Sequence, residues 1–486
     1  MSYRIGEKIS FLKKSTNDKV SKPTVDEKHL LQYSHSGRKG EAEVIIGLDF
    51  GTSASKVVIQ LPELPGKPSY VVDFGDYSHP SANYLLPTKL WVTTDGKCSL
   101  PKRADAFLID DIKLNLFSKF HKYKKNNDSH LERNVHEEYA VSYLALLLRY
   151  VREWFLREKV DIVGNFKELI WNVNLGVPSP CVEDNEENRC FRRVGKAAWM
   201  LSVMKNNITL DVAEQELRFL EKAPDYWEND NDGYVCDFDI IPEIAAGAVG
   251  YAMSDLRRDG LHVMIDIGAS TVDACCFNLN QADGSDRYSL FMSDVQVLGT
   301  VRLHYERIMA LKTIHEKKAN ELRENHDPML PIAENAESYL VPENDILSEI
   351  ELAEKRLEKE LKTMLKRVIW KTKLHKYRNA KEWKQGKLPL LIIGGGSEMS
   401  IFSTAVHELD YWLESNTQND GTKIVDITLP ETLKREKADF KRIAVAWGLS
   451  HRSINIGEIT PADKIPDEAP PTKKDWEKNY VSKDQV

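Results

Sequence analysis

A chain of 486 residues with 42% hydrophobic side chains is too long for one ordinary core, so the expectation is a folded protein of two domains with tails. Its 67 Lys and Arg against 75 Asp and Glu leave a formal net charge of -8, which excludes nucleic-acid binding through overall charge and leaves only a local patch. No apolar run approaches the roughly 20 residues that span a bilayer, and the polar start has no signal-peptide core, so a soluble, cytoplasmic protein without a membrane partner is expected.

In chain order, residues 1–43 are rich in Lys, Ser, Asp and Gly and read as a flexible arm open to partner docking. The stretch VIIGLDFGTSASKVVIQL, Val44 to Leu61, is an apolar strand that runs into Asp49-Phe50-Gly51-Thr52 and returns as a second strand. Glycine there lets turn amides converge on an anion, while the Asp at the strand end stays free to hold a hydrated metal. The alternation from Ser81 to Leu100 around Asp95-Gly96 predicts another hairpin. In IDDIKLNLF, Lys113 between apolar neighbours reads as a strand lysine facing solvent, with a reach toward phosphate as the alternative.

The run from Tyr139 to Leu156 has the apolar density of a largely buried helix. It leads to the strand-like LIWNVNLGVPSP, ended by Pro178 and Pro180, and then to a helix in NRCFRRVGKAAWMLSVM with a basic first face. Strand, crossing helix and return strand fit a right-handed α/β layer. In DIIPEIAAGAVGYAMSDL, Glu243 opens a helix whose small residues suit close packing, either a static crossing or a sliding one between lobes.

A second hairpin follows in LHVMIDIGASTVDACCFNL, Leu261 to Leu279. Laid in one frame with the first, Asp49 falls on Asp266, Gly51 on Gly268 and Lys56 on Asp273. One such hairpin is an ordinary turn; two facing each other would grip a polyphosphate from both sides. Downstream, Leu298-Gly299-Thr300 opens a helix, and Ile346 to Leu365 carries apolar residues at steps of three and four, predicting a long amphipathic helix. The basic run Lys366 to Lys387 interleaves Trp370, Tyr377 and Trp383; it reads as a solvated helical face rather than a nucleic-acid platform.

LPLLIIGGGSEMSIFSTAVHEL then gives a strand, Gly394-Gly395-Gly396, and a helix expected to be capped by Ser397. FKRIAVAWGLSH places Ala444, Ala446 and Gly448 on another small-faced helix, and a polar, proline-bearing tail follows Ile459. The cysteines, Cys98, Cys181, Cys190, Cys236, Cys275 and Cys276, form no C-x-x-C pair, which argues against structural zinc and a disulfide scaffold.

This order of hairpin, small-residue helix, hairpin, strand-glycine-helix and second small-residue helix resembles the actin and seventy-kilodalton heat-shock-chaperone ATPase superfamily over about residues 44–455. IIPEIAAGAVGYA is closer to the chaperones than to actin. The resemblance implies a duplicated, ribonuclease-H-like α/β fold with two lobes around ATP or ADP and Mg²⁺. Lobe I would span 44–258, completed by 438–455; lobe II would span 259–437 with a helical insert at 302–387; a polar tail would fill 456–486.

By the same resemblance, Asp49, Gly51, Thr52 and Ser53 form the first phosphate loop, and Asp266, Gly268, Ala269, Ser270, Thr271 and Asp273 the second. Asp49 and Asp266 would organise the hydrated Mg²⁺ and Glu243 would orient the attacking water. Gly299, Thr300, Gly394, Gly395, Gly396 and Ser397 would line the nucleoside pocket. Lys56 falls where actin carries a phosphate-binding lysine, and Lys113 is nearest to the lysine of the chaperones. The second loop reads DIGAST where the chaperones have a run of glycines, which implies slow hydrolysis, and their adenosine-contacting helix has only a loose counterpart around Glu351 to Arg356. With no peptide-binding domain expected after the tail, the implied function is a chaperone-like ATPase switch acting on a protein partner. A filament-forming actin-like protein and a small-molecule kinase of the same superfamily are the alternatives.

Overall fold

The computed structural model describes residues 40–468 other than 81, 118–134, 179–184, 205–206, 224–225, 228–234, 328, 330–331, 333–338, 340–346 and 434. Most of the expected N-terminal arm, residues 1–39, and of the tail, 469–486, therefore lies outside the described residues. The expected arm ends earlier than its composition implied, because the first strand already starts at Glu41.

The fold is α/β with mixed sheets. In the first half, β1 (Glu41–Asp49), β2 (Ala54–Gln60), β3 (Ser69–Val71), β4 (Leu86–Pro87), β5 (Leu90–Thr93), β6 (Cys98–Ser99), β7 (Ala106–Ile109), β8 (Glu168–Val177) and β9 (Asp237–Pro242) follow in order. The main sheet runs β3-β2-β1-β8-β9, with β4 also on β2. β1 is antiparallel to β2 and parallel to β8, which is parallel to β9. The expected turn at Asp95-Gly96 joins β5 to β6.

In the second half, β10 (Gly260–Ile267), β11 (Val272–Ala282), β12 (Ser285–Gln296), β13 (Leu388–Ile393), β14 (Thr422–Ile424) and β15 (Glu458–Thr460) form a sheet in the order β14-β13-β10-β11-β12-β15. Here β10 is antiparallel to β11 and parallel to β13, which is parallel to β14. Each half therefore repeats one plan: an antiparallel meander feeds a central first strand, and parallel strands follow on its other side. β1 and β10 are buried on both faces, which is why Val44 to Leu48 and Val263 to Ile265 read as unbroken apolar runs.

The helices cover these sheets. α1 (Ile112–Phe117), α2 (Val135–Glu158), α3 (Glu186–Val203) and α4 (Leu210–Lys222) belong to the first half, where α2 packs on α3 and buries Tyr143, Leu147 and Phe155. α5 (Glu243–Ala252) connects to the second half, which carries α6 (Thr300–Lys312), α7 (Glu316–Glu324), α8 (Leu347–Lys371) and α9 (Ser400–Asn416). α8 buries Ile350, Ala353, Leu357, Leu361 and Leu365, the positions its three-and-four spacing picked out.

α10 (Lys437–Leu449) returns to cross α5. The crossing is close: a Cβ on Gly448 would stand 1.9 Å from the Ala246 carbonyl oxygen, so no other residue fits there. Side chains from α5, α10, β2, β10 and β13 share one core cluster, which places these two helices between the sheets. The Asn174 amide of β8 donates to the carbonyls of Leu449 and His451 at 2.7 and 2.8 Å, tying the end of α10 to the first sheet.

Two surface expectations change. Residues after 456 were read as polar tail, yet Glu458–Thr460 adds β15 to the edge of β12, and Lys376 Nζ donates to the Ala462 and Ile465 carbonyls at 3.0 and 2.6 Å. Backbone pairing at an open sheet edge overrides the polar composition. The basic run from Lys366 is α-helical to Lys371 and π-helical over Thr372–Lys376; Tyr377 stacks on Phe291 at 4.8 Å and Trp383 is buried, so these two aromatics serve packing. Cys190, Cys236, Cys275 and Cys276 are buried thiols and Cys98 is half-buried. Among the described residues, no helix is long and apolar enough to cross a membrane.

Candidate functional site

Each half delivers its first hairpin to the same place. Along β1–β2, Asp49 is the register partner of Lys56; along β10–β11, Asp266 is the register partner of Asp273. The two hairpins are thus equivalent position for position, as the sequence frame predicts. Both turns open into a cavity of about 480 Å³. Asp49, Gly51, Thr52, Ser53 and Lys56 line it from the first hairpin, and Asp266, Gly268, Ala269, Thr271 and Asp273 from the second. Among the described residues, the backbone N–H groups of Thr52, Ser53, Ala269 and Ser270 have no acceptor, so both turns retain donors suited to an anion.

Gly394, Gly395, Gly396 and Thr300 line the same cavity. Gly394 has φ +89°, and a Cβ there would stand 2.3 Å from Asp266 Oδ1, so only glycine lets the chain pass over that carboxylate. Three predicted residues do not line it. Ser270 sits in the second turn, where its carbonyl accepts from the Gly299 amide at 3.1 Å; Gly299 thus braces the turn from behind.

Ser397 is a correction. It does not cap a helix, because α9 starts at Ser400 after Met399, which makes no side-chain cap. The Gly396 amide donates to the Ile267 carbonyl and the Met399 amide to the Gly396 carbonyl, and the cap position shifts two residues, from Ser397 to Met399. The residue lines a separate small cavity with Ile267, Phe402 and Lys441, and its hydroxyl is buried with no partner among the described residues.

Lys113 is the second correction. It lies on α1, not on a strand; it is buried, and its ammonium donates to Glu243 Oε1 at 2.5 Å inside the cavity. Six residues are too few to display a helical period, and Glu243 lies 130 positions away, so the local pattern misled. Lys56 Nζ donates to Asp49 Oδ2 at 2.8 Å and stands 3.3 Å from where a Gly51 Cβ would be, leaning over the first turn.

The charges are unbalanced: Asp49, Glu243, Asp266 and Asp273 face two ammonium groups at this end of the cavity. Burial, and then the Glu243 and Asp49 charges, push the Asp266 carboxyl up to about 7. Asp266 remains partly accessible through the cavity itself. Burial followed by Glu243 and Asp266 drives Asp273 well above the carboxylate range. Burial also raises Glu243, against the opposing pull of Lys113. For Lys113, burial works downward, but Glu243, Asp49 and Asp273 outweigh it and the net direction is up.

Such a set invites a cation. Among the described residues, no group of three or more His, Cys, Asp or Glu is arranged as a direct metal cage. Carboxylates spread around a cavity fit a hydrated divalent ion held through its waters, and Asp273 Oδ1 is a buried acceptor with no partner among the described residues. Asp49, Asp266 and Asp273 fit that role.

Sequence reasoning missed the rest of the lining, in which Leu85, Met329, Ile332 and Met399 are apolar and Glu398 and Arg442 are charged. Arg442 had one available signal: it follows Lys441 on the small-faced helix that packs beside the glycine run. No protein-family model matches the sequence, and no curated protein matches it.

Proposed function

We propose that the protein has an actin-like ATPase fold of the heat-shock-chaperone type, binds ATP or ADP with Mg²⁺ between its halves, and hydrolyses ATP slowly as a switch for a protein partner. The observation that carries this reading is the pair of equivalent hairpins, one from each sheet, lining one cavity with an aspartate at the end of each central strand. Unpaired turn amides and Lys56 suit the phosphates, and the bare glycine run with its apolar neighbours suits the nucleoside.

Bound magnesium supplies charge neutralisation for the phosphates. Glu243, the first residue of α5, orients water toward the terminal phosphate, and Lys113 holds its carboxylate in place. Asp49 positions Lys56 and, with Asp266 and Asp273, would hold the hydrated ion. Closure of the halves reaches a partner through the crossing of α5 and α10, which lies between the sheets and touches both.

Magnesium-dependent ATP turnover tests the reading. The wild type is expected to hydrolyse ATP and Asp49→Ala and Asp266→Ala to lose it; wild-type turnover in both variants would overturn the assignment.

A further inference from the structure

The two turns are braced from behind at equivalent carbonyls, but by different means. In the second hairpin, the Thr300 amide donates to the Gly268 carbonyl at 3.2 Å and the Gly299 amide to the Ser270 carbonyl at 3.1 Å, so main chain makes both bonds. Gly51 and Ser53 hold those positions in the first hairpin, and there one residue between β4 and β5 does the work of two. Thr88 donates from its hydroxyl to the Gly51 carbonyl at 2.8 Å and from its amide to the Ser53 carbonyl at 2.9 Å.

The Thr88 hydroxyl is itself held in a buried chain with Ser55 and Tyr143. The Tyr143 hydroxyl, from α2, donates to Ser55 Oγ at 3.0 Å and to the Pro87 carbonyl at 3.3 Å, and Ser55 Oγ stands 3.4 Å from Thr88 Oγ1. With the Thr88 proton on Gly51 and the Tyr143 proton on Ser55, the Ser55 hydroxyl donates to Thr88, and the chain runs one way from α2 to the turn.

A trans peptide points its carbonyl and its N–H in opposite directions. Holding the Gly51 carbonyl against Thr88 therefore turns the Thr52 N–H the other way. Thr52 lines the cavity, Thr88 does not, and the Thr52 amide is one of the donors with no acceptor among the described residues. Rotation of that peptide would present a carbonyl oxygen to an anion in place of a donor.

We propose that Thr88 is the positioning residue of the first turn, its hydroxyl fixing the Gly51–Thr52 peptide so that the Thr52 amide meets the phosphates of the bound nucleotide. This inference rests on the nucleotide reading above and adds the group that presets the donor.

Titration calorimetry on the full chain, with ADP and magnesium, tests it. Thr88→Val, which keeps the shape and loses the hydroxyl, should weaken ADP about tenfold. Thr88→Ser, which keeps the hydroxyl and loses a buried methyl, should bind within about twofold of wild type even though its melting temperature falls. Wild-type affinity in Thr88→Val, or equal loss in the serine and valine variants, would overturn the inference. Ser55→Ala, which removes the donor that holds the Thr88 hydroxyl, should lose about threefold and carries the test where the valine variant does not fold. Wild-type affinity in Ser55→Ala would in that case overturn the inference. Binding of ADP by the wild type separates the two readings: if the wild type binds none, the nucleotide reading and this inference fall together.

Discussion

The two hairpins share strand order, register and turn, yet they differ at one position. In the first, Asp49 faces Lys56 and the pair is closed by a 2.8 Å ion pair. In the second, Asp266 faces Asp273, and among the described residues neither carboxylate forms an ion pair. A single change of sign at one register position gives the first hairpin an internal ion pair and the second two facing carboxylates. After burial and Glu243, the facing Asp266 adds to the rise of the Asp273 carboxyl.

The largest effect should come from the glycine run, which covers the second hairpin only. Gly394→Val puts a side chain onto Asp266 and forces a positive φ on a branched residue, so a loss of ~3 kcal/mol or more is expected in denaturant unfolding. A variant as stable as the wild type would show that the glycine run does not press on that hairpin.

The lysines sharpen the comparison further. Lys113→Met strands the buried Glu243 and should cost about 3 kcal/mol. Lys56→Met, at a pair where the lysine is 18% exposed, should cost about 1 kcal/mol. Equal losses in urea unfolding would mean that the two pairs are not the buried and open cases the geometry describes.

The smallest effect is one of pH. An acid raised to about 7 in the folded chain and near 3.8 when unfolded binds more protons folded than unfolded between those values. Its contribution therefore falls as pH rises from about 4 to about 7 and is level above that window. In the absence of divalent ions, the melting temperature should drop across that range, and Asp266→Asn should flatten the slope. An identical slope in both proteins would place the titration elsewhere.

The hairpins were legible because strand, Asp-x-Gly and return strand are local, and a repeat at equivalent positions is visible without the fold. The strands β10 and β13 and the helix α8 were likewise announced by apolar runs or a helical period. Contacts across long separations were not legible: Lys113 needs Glu243, Arg442 needs the glycine run, and β15 needs the free edge of β12. Ser397 failed for a related reason, since its position matches a cap but backbone bonds to Ile267 decide where the helix starts.

The central claim is that both hairpins hold one nucleotide through a cation that the second hairpin demands. Calorimetric titration of ADP into wild-type protein, with and without Mg²⁺, tests this most directly. The account predicts one ADP per chain, bound tightly only with magnesium and lost in Asp266→Ala. No heat of binding under either condition, or equal affinity with and without magnesium, would contradict it.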